Sequence, residues 1–179
     1  MAGIAGGRRL QVPRGRKLRP TSERVREAVF SSLGSMGAIH GARVLDLFAG
    51  TGALGIEALS RGAAAATFVE ADPAAVRVIR ANLAATGLEG ATVVHSDVAR
   101  FLEPPGPDAD IAFADPPYAF DEWSSVLARL PVGLAVLEAR RPVDPGPGWT
   151  VTRSARYGDT AVTVVRRLPP GAQGEGGPK

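Results

Sequence analysis

No cysteine occurs in the 179 residues, and histidine occurs twice, at His40 and His95. The first absence excludes disulfides, thiolate metal sites and any cysteine nucleophile. No carboxylate cluster at metal-ligand spacing surrounds either histidine, so both read as structural and no metal site is expected. Long apolar runs are missing as well: none approaches the roughly 20 residues that span a bilayer. The basic start is not followed by an apolar stretch, so no signal peptide is expected, and the expected compartment is the cytoplasm. No internal repeat is visible. The length suits one domain able to bury a sizeable core.

Charge is scarce in sum and uneven in place. The formal net charge is +3. Residues 1–26 carry Arg8, Arg9, Arg14, Arg16, Lys17, Arg19, Arg24 and Arg26 against one acid, Glu23, leaving 13 basic and 17 acidic groups in the other 153 residues. A basic arm on a slightly acidic body points to a polyanionic partner, RNA or DNA, met by that arm.

Along the chain, residues 1–7 read as flexible and 8–19 as an extended or hairpin-like arm with a turn at Gly15. Pro20 and Thr21 open a helix, with Glu23 favoured in its first turn by the helix dipole. Val25, Val29 and Leu33 recur at helical spacing, so that Arg24 and Arg26 point away from that stripe, and Gly34 and Gly37 end the helix. From Arg43 short apolar runs alternate with helical patterns. Strands are expected at 43–49, 66–71, 91–96, 110–114 and 134–139, and helices at 53–61, 73–86, 98–102 and near 121–129. Strands apolar on both faces and alternating with helices indicate a parallel sheet covered on both sides. The rhythm breaks at the end, where 149–157 and 160–168 are joined by Gly158-Asp159 as an antiparallel hairpin. The expected organisation is a basic arm and helix over 1–38, an α/β domain over 39–168 and a disordered tail over 169–179.

Two motifs carry the chemistry. The first is Leu45-Asp46-Leu47-Phe48-Ala49-Gly50-Thr51-Gly52-Ala53-Leu54-Gly55, an apolar run entering a glycine-rich turn. Glycines let backbone approach a ligand outside the carboxyl ends of parallel strands, and Glu70, at the tip of the next strand, can accept from both ribose hydroxyls. This pattern alone fits a nicotinamide dinucleotide almost as well as S-adenosylmethionine. Asp46 before the turn, Asp97 after the third strand within reach of an adenine amine, and the second motif favour S-adenosylmethionine. The expected cofactor residues are Asp46, Phe48, Gly50, Thr51, Gly52, Leu54, Glu70, Ala71, Asp97 and Val98. Each acid also has a plainer reading: Asp46 can hold turn amides, Asp97 can cap the helix at Val98, and Asp72 before Pro73 is most simply an N-cap. Glu70 has the least structural reason to be where it is.

The second motif is Asp115-Pro116-Pro117-Tyr118, ending the apolar run Ile111-Ala112-Phe113-Ala114. An exocyclic amine of a nucleobase is a weak nucleophile, because its lone pair is delocalised into the ring. Acceptors that hold both N–H groups turn the amine and free the lone pair; the Asp115 carboxylate and the Pro116 carbonyl are the candidates. The prolines stiffen the loop, and Tyr118 can stack on the base, a contact worth roughly 1–3 kcal/mol. A base approached in this way must leave its stack. The sulfonium donor is already activated, so the chemistry needs no metal and no covalent intermediate. Cytosine C5 methylation, which uses a cysteine nucleophile, is excluded. Phe120 and Trp123 can line the base pocket or anchor the next helix. Arg153, Arg156, Arg166 and Arg167 can touch phosphates or protect a sheet edge.

Taken together, Gly15-Arg16-Lys17-Leu18-Arg19-Pro20-Thr21, Arg24-Val25-Arg26-Glu27-Ala28-Val29-Phe30, the glycine turn, Asp115-Pro116-Pro117-Tyr118 and Arg156-Tyr157-Gly158-Asp159-Thr160 resemble a known family. It is that of the bacterial 16S ribosomal RNA guanine-N2 methyltransferases acting on the guanine conventionally numbered 966. The resemblance covers roughly residues 6–168, and its first and last motifs narrow the choice. It implies a Rossmann-like class I S-adenosylmethionine-dependent methyltransferase fold, with a seven-stranded, mostly parallel sheet ending in an antiparallel hairpin. It implies 16S ribosomal RNA in an assembled or assembling small subunit as substrate; nothing in the sequence suggests an obligate oligomer, so a monomer is expected. The resemblance places Arg19, Thr21 and Arg26 near the active site; the charge of the arm makes these and Arg8, Arg9, Arg14, Arg16 and Lys17 candidates for RNA contact. The alternatives are a DNA adenine-N6 methyltransferase, which can use the same catalytic motif but normally carries a separate recognition region, and a non-catalytic RNA-binding assembly factor of the same fold. An NAD(P) reductase would bind nicotinamide and not S-adenosylmethionine.

Overall fold

The computed structural model describes residues 3–7, 10–11, 20–103 and 107–169, with backbone alone for 20–22. The arm residues Arg8, Arg9, Arg14, Arg16, Lys17 and Arg19, the side chain of Thr21 and the tail beyond 169 lie outside the described residues.

The helices are α1 (Pro20–Ser35), α2 (Ala53–Ser60), α3 (Pro73–Thr86), α4 (Val98–Phe101) and α5 (Trp123–Arg129). The strands are β1 (Arg43–Leu47), β2 (Ala65–Glu70), β3 (Ala91–His95), β4 (Ile111–Ala114), β5 (Leu134–Ala139), β6 (Trp149–Tyr157) and β7 (Thr160–Arg167). Their boundaries follow local chemistry. Asp72 caps α3 by accepting from the Ala74 amide at 2.8 Å, Pro73 occupies the first turn, and Gly87 ends the helix at a φ of 64°. Asp97 caps α4 in the same way through Ala99.

All seven strands form one sheet in the order β3-β2-β1-β4-β5-β7-β6. The first five pair in parallel, and β7 runs antiparallel to both β5 and β6. This is the mostly parallel sheet with a terminal hairpin that the strand pattern predicts. Alternate residues face opposite layers. Val44, Phe68, Ile111, Phe113 and Val136 pack with Val25, Val29, Phe30 and Leu33 of α1, Ile56 and Leu59 of α2 and Ile79 of α3. Leu45, Leu47, Ala112, Ala135 and Leu137 pack on the other side with α4 and α5.

The start of the chain departs from the flexible segment expected there. Gly3–Ala5 form a 3-10 turn, and Ala5 is buried. Its amide donates to Ser60 Oγ at 2.8 Å, at the end of α2. A short, small-residue sequence gives no signal for this, because the partner lies 55 residues away.

The α2–β2 packing generates a stability test. A Cβ at Gly55 would collide with the buried ring of Phe68. Gly55→Ala is expected to cost about 1–3 kcal/mol through overpacking. Urea unfolding should show a lower midpoint with an unchanged slope; an unshifted midpoint would mean that the ring has room to move.

Candidate functional site

The two motifs meet because of sheet order. β1 pairs with β2 on one side and β4 on the other, in register Leu47↔Ala114. The glycine turn leaving β1 and the Asp115 loop leaving β4 therefore start side by side, at the point where strand order reverses. Ligands of open α/β sheets sit at that place.

Backbone strain and carboxylates define the turn. Phe48 is the one non-glycine residue with positive φ among the described residues, at 59°, followed by Gly50 at 56° and Gly52 at 77°. Such a conformation costs of order 1–3 kcal/mol in a side-chain-bearing residue and persists where the surroundings over-determine it. Here Glu70 accepts from the Gly50 amide at 2.7 Å and the Asp72 amide at 2.9 Å, one on each carboxylate oxygen. Asp46, 2% exposed, accepts from the Gly55 amide at 2.8 Å. Asn82 of α3, absent from the sequence-derived candidates, donates to the Thr51 carbonyl at 2.9 Å. Glu70 thus has the structural task that its sequence position did not suggest. A carboxylate offers about four lone-pair directions, so about two acceptor sites remain beyond these two bonds.

The other expected cofactor residues border this turn or the neighbouring strand ends. Leu54 is half-buried in the first turn of α2, Ala71 is exposed after β2, and Val98 is buried at the start of α4. Asp97 and Asp72 are engaged as helix caps. His95 Nε2 lies 3.0 Å from the Ala71 carbonyl.

The loop after β4 alternates in burial: Asp115 and Pro117 are exposed, Pro116 is buried, and Tyr118 is 37% exposed. Phe120 donates its amide to the Pro117 carbonyl at 2.9 Å. Of the two proline carbonyls, this closes the turn on that of Pro117, which is therefore engaged locally. The Arg140 guanidinium, also missed in the sequence, lies 4.6 Å from the centre of the Tyr118 ring. Arg156 of β6 donates to the Arg140 carbonyl at 3.2 Å, bringing the terminal hairpin to this edge of the site. Phe120 packs edge-on against Phe48 at 5.2 Å and Trp123 at 5.1 Å between ring centres, tying the two loops through an aromatic row.

The surroundings of two acids favour their neutral forms. Burial pushes the Asp46 carboxyl up to about 8; the Gly55 amide opposes this, and the charges of Asp115 and Glu70 add to it. Burial likewise pushes Glu138 of β5, 9% exposed, up to about 8, with Asp115 and then Asp46 adding to it.

The basic residues divide. Arg24 is exposed, whereas Arg26 does not point away from the core: its Nε lies 3.5 Å from Glu57 of α2, which Arg61 also engages at 2.8 Å. Glu57 is buried and draws the guanidinium in, a contact that helical spacing alone cannot show. Arg167 folds back onto the Val132 and Leu130 carbonyls and over the Trp149 ring, so it serves the sheet edge. Arg166 is exposed.

A family model described as conserved hypothetical protein 95 matches residues 1–166. The chain belongs to that family. A Haemophilus influenzae protein named ribosomal RNA small subunit methyltransferase D is 34% identical over 88% of this chain and 88% of its own length. An Escherichia coli protein of the same name is 47% identical over 112 residues, 63% of this chain. That match takes in 56% of the Escherichia coli protein, so the chain spans little more than half of that relative. The solved structure of yhhF from Escherichia coli has a TM-score of 0.82 at 35% identity, covering 93% of this chain and 96% of that one. The family resemblance read in the motifs and these matches agree, and the fold is the Rossmann-like class I methyltransferase fold.

The raised carboxyls give a pH test with a defined sign. Between about pH 4 and pH 8 the folded state keeps protons that the unfolded state has released. The stability from this source is complete at the acid end and is lost as pH rises through about 8. The loss is at most about 1.4 kcal/mol per pH unit per group. Urea midpoints should fall from pH 5 to pH 8, and Asp46→Asn should shrink the difference. An undiminished difference in that variant would place the proton elsewhere.

Proposed function

We propose that this protein transfers a methyl group from S-adenosylmethionine to the exocyclic N2 amine of a guanine in 16S ribosomal RNA of the small ribosomal subunit. The observation that carries this reading is the side-by-side start of the glycine turn and the Asp115–Tyr118 loop at the switch point between β1 and β4. The name carried by the relatives supports ribosomal RNA as the substrate. Guanine 966 and its N2 atom rest on the motif resemblance.

The residues fit this cofactor. Glu70 has acceptor capacity left for two ribose hydroxyls, Asp97 follows β3 at the carboxyl ends of the strands, and the buried acid Asp46 suits a cationic amino-acid end. When bound, S-adenosylmethionine supplies an already activated methyl group. In this reading Asp115 and the Pro116 carbonyl accept the two N–H groups of the target amine and free its lone pair. Tyr118 stacks on the extruded base, steadied on its ring by Arg140. As the nitrogen–methyl bond forms and the sulfur–methyl bond breaks, the amine proton passes to Asp115 or to water. Orientation of this kind supplies much of the acceleration in a direct displacement. The basic arm, with Arg8, Arg9, Arg14, Arg16, Lys17, Arg19 and Thr21, holds RNA phosphates next to the site, and the fold of the small subunit presents the base to the enzyme.

Labelled methyl transfer to unmodified small subunits, naked 16S RNA and duplex DNA tests this directly. N2-methylguanine in ribosomal RNA is the expected product; N6-methyladenine in DNA would replace the reading with its alternative. Asp115→Ala is expected to abolish transfer while S-adenosylmethionine still binds, as read by titration calorimetry, and lost cofactor binding would contradict the role given to Asp115. Removing several arm arginines should weaken RNA binding and flatten its salt dependence between about 50 and 200 mM. An unchanged salt slope would remove the arm from the interface.

A further inference from the structure

Asn82 has no place in either motif, yet it joins two segments that the function uses separately. It sits in the interior of α3, is 1% exposed, and occupies a helical position where an apolar residue would pack more cheaply. Its side-chain amide is committed on three sides. Nδ2 donates to the Thr51 carbonyl at 2.9 Å and to the Gln11 carbonyl at 3.1 Å, while Oδ1 accepts from the Gln11 amide at 2.7 Å. One amide thereby imitates a strand neighbour for Gln11 and grips the glycine turn. The partners fix its orientation: two carbonyls face its nitrogen and one N–H faces its oxygen, so turning it over would break all three bonds.

The positions of the partners give the contact its meaning. Thr51 lies between Gly50 and Gly52, both at positive φ, in the turn that approaches the cofactor. Gln11 lies in sequence between Arg8-Arg9 and Arg14-Gly15-Arg16-Lys17, and its neighbour Leu10 packs against the core. Glu70 holds the same turn one residue earlier, at Gly50. Whatever steadies the turn therefore steadies the Asn82 bonds, and through them the base of the basic arm. Coupling of this sort is reciprocal.

We propose that Asn82 is a positioning residue that joins the base of the basic arm to the cofactor turn, so that cofactor occupancy seats the arm for RNA and bound RNA tightens the cofactor site. The proposal deepens the methyltransferase reading and rests on it for the identity of the two ligands; the Asn82 bridge itself does not.

Hydrogen exchange on the full chain, with and without S-adenosylhomocysteine, tests it. In the native protein the ligand should slow exchange across residues 48–55 and also at the Gln11 amide, by about tenfold. Asn82→Ala should speed Gln11 exchange in the free protein and erase its response to ligand. Asn82→Asp keeps an acceptor for the Gln11 amide and loses both donors, so Gln11 should stay protected and stop responding. In methyl transfer the same variant should raise KM for RNA by a larger factor than it lowers kcat, whereas general loosening of the fold would depress both. The proposal is overturned if ligand slows residues 48–55 of the native protein and leaves Gln11 unaffected, or if Asn82→Asp responds in full. Should S-adenosylhomocysteine slow neither segment, the cofactor reading fails. The bridge is then judged by Asn82→Ala alone in the free protein, where unchanged Gln11 exchange overturns it.

Discussion

The site depends on a turn that would not hold its shape unaided. Phe48 takes a left-handed conformation that disfavours any residue with a side chain, and the chain then passes through Gly50 and Gly52, both at positive φ. Three side chains from three different elements hold this geometry: Glu70 from the end of β2, Asp46 from within β1 and Asn82 from α3. Each bonds to a backbone group that the turn leaves without a helix or strand partner. A buried or half-buried amide or carbonyl left unmet costs about 1–3 kcal/mol, so the three contacts together have the scale needed to maintain the strain. The Phe48 ring is also committed, lying edge-on to Phe120 beyond the second loop. The turn and the Asp115 loop are thus linked by packing as well as by the β1–β4 pairing.

The strand ends beside this turn also gather acidic groups. Asp46, Asp115 and Glu138 occupy the carboxyl ends of three adjacent strands, β1, β4 and β5, two of them buried. Burial raises the pKa values of Asp46 and Glu138, and the charge of Asp115 adds to both shifts. In the proposed reading the positive charge of S-adenosylmethionine would favour the ionised forms of these carboxyls.

The sheet and its helices were legible in the sequence because their signals are local. Continuous apolar runs of four to six residues separate cleanly from helical patterns, and Asp72-Pro73, Gly87 and Asp97 mark boundaries by capping chemistry that needs no distant partner. The glycine turn and Asp115-Pro116-Pro117-Tyr118 were legible for a related reason: unusual residue types come directly after buried strands. The contacts that escaped were set by distant partners. Ala5 is anchored by Ser60, Gln11 by Asn82, and Arg26 is drawn inward by Glu57. Arg140 looked like an ordinary residue after a strand until the fold placed it over Tyr118. Glu70 was legible as a site residue, but the backbone task it performs was not, since the Gly50 amide comes within reach only once β1 and β2 pair.

These long-range contacts share a direction. Ala5, Gln11 and Arg26 all lie in or beside the basic first part of the chain, and their partners, Ser60, Asn82 and Glu57, lie on α2 and α3, the helices after the glycine turn and after β2. An arm that met RNA by charge alone would need no such anchors, because screened attraction is indifferent to register over distances of about 10 Å. Anchoring at three points costs chain entropy of about 1–2 kcal/mol per fixed residue, which the contacts of Ala5, Gln11 and Arg26 offset. These contacts tie the first part of the chain to the two helices that follow the glycine turn and β2.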